Sequence, residues 1–106
     1  MATSKEFFDY ILDSLSLIDG ISAKKMMGEY IIYYHGKIAA YLCDNRMLIK
    51  DVPSARALLP DAEPEPPYEG ARDMLLFEDT DNRDFLKELF EAIYPELPEP
   101  KAKKKK

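Results

Sequence analysis

The stretch that most limits what this chain can fold into is residues 30–50, YIIYYHGKIAAYLCDNRMLIK. It is rich in Ile, Tyr, Leu and Met, and two short turn signals cut it, His35-Gly36 and Asp44-Asn45. Residue types that favour strands, interrupted by two-residue turns, specify back-to-back β-hairpins. Regular pairing through the first turn sets Tyr34 opposite Lys37, Tyr33 opposite Ile38, Ile32 opposite Ala39 and Tyr30 opposite Tyr41. The second turn sets Cys43 opposite Arg46, Leu42 opposite Met47, Tyr41 opposite Leu48 and Ala39 opposite Lys50. Opposed residues share a face and successive residues alternate. One expected face therefore carries Ile31, Tyr33, Ile38, Ala40, Leu42, Met47 and Ile49, the core side. The other carries Tyr30, Ile32, Tyr34, Lys37, Ala39, Tyr41, Cys43, Arg46, Leu48 and Lys50, a mixture of aromatic, aliphatic and basic groups.

The flanking segments supply helices. Thr3-Ser4-Lys5-Glu6 fits a capping box with Thr3 as the N-cap. Phe7, Phe8, Ile11, Leu12, Leu15 and Ile18 then repeat with helical period, which predicts a helix over 4–17 that Gly20 stops. An extended segment around Lys24 to Met27 leads into the hairpins, and Gly28 signals a bulge or a close backbone approach. After Lys50, Pro53 sits at the first position of a short helix capped by Asp51 or Val52, with Ala55, Leu58 and Leu59 facing inward. Residues 60–70, PDAEPEPPYEG, read as an extended acidic loop. RDMLLFE at 72–78 is a strand inside the sheet. Thr80, Asp81 or Asn82 then caps a helix with Phe85, Leu86, Leu89, Phe90 and Ile93 on one stripe, ended by Pro95. A further strand is expected near Pro67 to Tyr68 or Met26 to Gly28. Strands grouped apart from helices give an α+β fold: an antiparallel sheet built on a three-stranded meander, with helices on its apolar face. Residues 1–95 form one domain, and 96–106 a flexible Pro/Lys-rich tail.

Several chemistries are disfavoured. One cysteine and one histidine leave no internal disulfide and no Cys/His zinc site. His35 reads as a turn residue, and Cys43, beside Asp44, as an incidental thiol. Glu63/Glu65 and Glu78/Asp79/Asp81 lack calcium-loop spacing, and the four glycines are isolated, so no metal, cofactor or phosphate loop is expected. No signal peptide is read ahead of the first helix, and no apolar run approaches the ~20 residues of a membrane span, so the expectation is a cytoplasmic protein without membrane contact. The net charge of −5 conceals an uneven distribution: the last six residues, KAKKKK, carry five lysines, which leaves the first hundred with a net charge of −10. A body this acidic repels a phosphate backbone, so contact with nucleic acid would be weak, non-specific and confined to the tail.

The mixed sheet face is the remaining candidate. Tyr30, Ile32, Tyr41, Leu48 and Lys50, with Lys24 and Lys25 beside them, are the expected interface for a protein partner or a homodimer, because contiguous apolar patches mark contact surfaces, unless a helix or the proline-rich loop of the same chain covers this face. The alternative is a nucleic-acid-associated accessory protein using the lysine tail and Lys24/Lys25 near Arg46.

At Lys24-Lys25-Met26-Met27-Gly28-Glu29-Tyr30 the sequence resembles the TfoX/Sxy N-terminal domain family, and the order of strand, Pro-rich loop, MLLFED strand and closing helix extends that resemblance over residues 4–94. Glu29 stands where many relatives have a second glycine. The resemblance implies a secretion-chaperone-like α+β fold, α-β(3)-α-β(1-2)-α, and a non-enzymatic regulatory domain. Two-domain relatives regulate natural competence together with the cyclic-AMP receptor protein; here a lysine tail follows in place of their helical second domain. No catalytic residue comes with the resemblance.

Overall fold

A computed structural model describes residues 3–26, 28–67 and 70–97. The chain runs α1 (Lys5–Ser14), β1 (Ile21–Met26), β2 (Glu29–Tyr34), β3 (Lys37–Cys43), β4 (Arg46–Ile49), α2 (Pro53–Leu58), β5 (Pro64–Glu65), β6 (Met74–Phe77) and α3 (Arg83–Ile93), closed by a 3-10 turn at Tyr94–Glu96. The six strands form one antiparallel sheet in the order β1-β2-β3-β4-β6-β5. The fold is α+β, with helices packed on one side of the sheet. The extended segment before the hairpins is itself a strand, so the meander has four strands rather than three. Gly28 belongs to the tight turn between β1 and β2 at φ 85° rather than to a bulge. The expected strand at Pro67 to Tyr68 lies partly outside the described residues. So do Met27 and most of the tail.

Both two-residue turns form where expected. His35 and Gly36, then Asp44 and Asn45, all have positive φ (49°, 84°, 54° and 58°), the pattern of type I′ turns whose twist suits a hairpin. Pairing also begins as expected, Tyr34 opposite Lys37 and Tyr33 opposite Ile38. It then shifts: Ile32 faces Ala40, Ile31 faces Tyr41 and Tyr30 faces Leu42. A β-bulge has absorbed one residue of β3. The expected sides of β2 are thereby exchanged relative to the rest of the sheet.

The helix-covered core consequently holds Tyr30, Ile32 and Tyr34 together with Ala39, Ala40, Leu42, Met47 and Ile49. Ile11, Leu15 and Ile18 of the N-terminal segment, and Leu86, Leu89, Phe90 and Ile93 of α3, pack against them, all buried. Tyr30 stacks on Phe8 at 3.9 Å between ring centres, and Tyr34 meets Phe90 and Tyr94 edge-on at 5.7 and 5.4 Å. Two consecutive alanines make the bulge cheap, since both can face inward without crowding that layer.

The caps show how local chemistry fixes the helices. Ser4, not Thr3, is the N-cap of α1, its hydroxyl accepting from the Phe7 amide at 3.1 Å. Thr3 is buried instead. Its hydroxyl lies 2.7 Å from Glu29 Oε1 and 3.0 Å from the Leu42 carbonyl, and accepts from the Asn45 amide at 3.3 Å. That network ties the start of the chain to β2 and to the β3–β4 turn. Val52 precedes α2 without a side-chain cap, and Glu96 replaces one from a distance, accepting from the Ser54 amide and hydroxyl at 2.8 Å each. Asn82 caps α3. With Glu96 bonded and Leu97 buried in the core, the packed body continues through Leu97.

Candidate interaction site

The three described helices bury their apolar side chains in the core cluster, which leaves no described helix over the opposite face of the sheet. Strand pairing assigns that face directly. From β2 come Ile31 and Tyr33, from β3 Ile38, Tyr41 and Cys43, from β4 Arg46 and Leu48 followed by Lys50, and from β6 Met74 and Leu76. Leu48, Cys43 and Met74 form a small buried cluster flanked by half-buried Tyr41 and Leu76. Arg46 reaches across the intervening β6 to an ion pair with Glu65 on β5.

The positions expected to form an interface divide. Tyr41 and Lys50 lie on this face, half-buried. Leu48 lies on it too, but it is 0% exposed and serves as the floor of the surface rather than a contact. Lys24 shares the face through its pairing with Ile31. Lys25 pairs with Tyr30 and projects to the helix side. Tyr30, 8% exposed, and Ile32, 0% exposed, are core residues, because the bulge turns them inward. Ile31, Tyr33 and Ile38 take their places on the open face, Tyr33 and Ile38 half-buried and Ile31, 5% exposed, part of its floor like Leu48. The available signal for them was weak: EYIIYY is apolar on both sides, so alternation could not decide which side is inner.

Where the face meets the loop after β5, a cleft of about 580 Å³ opens between Tyr41, Lys50, Val52, Pro67, Arg72 and Met74. Two of its carboxylates are engaged: Asp51 binds Arg56 at 2.5 and 2.7 Å, and Glu96 holds Ser54. Arg56 keeps the Asp51 carboxyl below the usual carboxylate range, its hydrogen bond being the main cause. Cys43 is not poised for nucleophilic chemistry. Burial pushes its thiol up to about 11, and the Glu29 carboxylate adds to the shift. His35 sits exposed at the hairpin tip, its ring 5.6 Å from Tyr94. Gly20 allows this approach, since a Cβ there would collide with the imidazole. No group of three or more metal-ligating side chains occurs among the described residues, and no helix among them is long and apolar enough to cross a membrane.

Fold and surface together define a small α+β domain whose sheet is covered on one side and open on the other. No protein-family model matches the chain, and no solved structure matches it. It is 30% identical over 107 residues to the "Uncharacterized 12.7 kDa protein in trpE 5'region" of Spirochaeta aurantia, an alignment spanning 100% of this chain and 93% of that protein. The chain belongs to the family of that protein.

Proposed function

We propose that this chain is a non-enzymatic, cytoplasmic protein-interaction domain of the TfoX N-terminal type, acting in regulation of transcription through the open face of its sheet. The observation that carries this reading is the run of half-exposed Tyr33, Ile38, Tyr41 and Leu76 along a face that no described helix covers, rimmed by Lys24, Arg46 and Lys50. Aromatic and aliphatic groups beside an arginine, enclosed by a charged rim, are the composition of contact surfaces. The acidic body steers this domain toward protein rather than phosphate partners.

The test is recovery of a tagged chain from its native cell, comparing wild type with Tyr33→Glu and Ile38→Glu, each first shown by circular dichroism to fold. The reading expects a defined partner of the transcription machinery that both substitutions release. Retention of the same partner by both variants contradicts it. Gel shifts with and without residues 101–106 address the alternative: sequence-preferring DNA binding that survives removal of the tail would replace a protein partner with nucleic acid.

A further inference from the structure

The two edges of the sheet are guarded very differently. The β5 edge is two residues long, begins with Pro64 and is followed by Pro66 and Pro67, so it presents few free backbone donors. The β1 edge is six residues long, has no proline and no register shift, and five of its six residues are exposed. Its backbone polarity can be assigned residue by residue. The His35 amide donates to the Gly20 carbonyl at 2.8 Å, and the register continues from that rung with Ile21 opposite Tyr34. Hydrogen-bonded and non-bonded rungs alternate in an antiparallel pair. Ser22 and Lys24 therefore bond to β2, whereas Ile21, Ala23 and Lys25 turn both N–H and C=O outward, to the open side. No carboxylate among the described residues forms an ion pair with Lys24 or Lys25, and these lysines project to opposite faces of the sheet.

We propose that β1 is a docking edge for an extended acidic segment of another protein, which adds a seventh strand through the outward groups of Ile21, Ala23 and Lys25 and sets carboxylates beside Lys24 on one face and Lys25 on the other. Backbone pairing supplies the affinity and the lysines select the charge. A second copy of the chain fits this edge less well. Antiparallel self-pairing centred on Ala23 gathers four lysines within a few rungs, like charges that an acidic segment would instead neutralise. The edge shares Lys24 with the rim of the open sheet face, but its outward backbone groups are its own, so loss of peptide binding in Ala23→Pro tests this inference apart from the proposed function.

The fold supplies a clean control. Proline at 23 removes an N–H that β2 does not use, so Ala23→Pro should keep the sheet and lose the docking edge. The probe is an end-capped octapeptide with two consecutive central glutamates among valines and threonines, titrated into the 15N-labelled full chain up to about 1 mM, the range of weak specific binding. The expected result is slowed amide exchange at Ile21, Ala23 and Lys25, binding at least tenfold weaker in Ala23→Pro, and transfer of preference to the lysine-for-glutamate peptide in the double variant Lys24→Glu/Lys25→Glu. Three results would each overturn the proposal: no binding of the acidic peptide, equal binding by a folded Ala23→Pro variant, or a β1-dependent dimer in sedimentation that excludes the peptide.

Discussion

The two faces of the sheet are made by the same strands and meet opposite fates. On the helix side, Ile32, Leu42, Met47 and Ile49 are sealed beneath α1 and α3. On the other side, Leu48, Cys43 and Met74 are buried with Tyr41 and Leu76 packed against them, Ile31 is buried too, and Tyr33, Ile38, Tyr41 and Leu76 stay half-exposed. A single extra residue in β3 decides which half of β2 joins which side. A sheet with apolar groups on both surfaces does not choose its core by hydrophobicity alone. The side that receives the helices becomes the core, and the remainder is left as contact surface.

Neighbouring residues on opposite sides make the sharpest probe of this contrast. Ile32→Ala, at a fully buried site under the helices, should cost about 3–4 kcal/mol in urea unfolding, and Ile31→Ala, buried on the side without a described helix, about 2. Equal or reversed values would mean that β2 faces the other way. Leu48→Ala should fall between them at about 2–3 kcal/mol, because its cluster is small and can collapse. Thr3→Val should cost about 1 kcal/mol by leaving the Asn45 amide without its acceptor, and it should increase amide exchange in the β3–β4 turn. Asp51→Asn, removing a partly exposed pair at the end of the open face, should cost no more than ~0.5 kcal/mol. The sign of its pH dependence is fixed. Arg56 lowers the Asp51 pKa in the folded state, so the pair stabilises above the unfolded carboxylate value of about 4 and its contribution is lost as pH falls through the lower folded value. A wild-type acid transition indistinguishable from that of Asp51→Asn would remove the pair from the account.

Much of this architecture was legible because the signals are local. The two turns carry residues that tolerate positive φ, α3 has its full apolar stripe between Asn82 and Pro95, and MLLFED is apolar on alternate sides of an interior strand. What was not legible depended on long-range packing. Thr3 looks like a cap in sequence, yet it is drawn inward by Glu29, 26 positions along the chain. β1, with ISAKKM, has almost no apolar alternation and exists because β2 offers it a partner. The bulge at Ala39-Ala40 has no sequence signature beyond two small residues, and it moved Tyr30 and Ile32 out of the expected surface and Ile31 and Tyr33 into it. The order β2-β3-β4 was therefore readable, but not the flanking strands or the identity of every residue on the open face.

The sorting of β2 rests on which aromatic ring Tyr30 touches. Ring-proton nuclear Overhauser effects in the full chain measure this directly. The bulged register places Tyr30 against Phe8 beneath the helices and expects a strong Tyr30–Phe8 cross-peak with none to Tyr41. A Tyr30–Tyr41 cross-peak without one to Phe8 would restore the unbulged pairing, return Tyr30 to the outer face and contradict the surface described above.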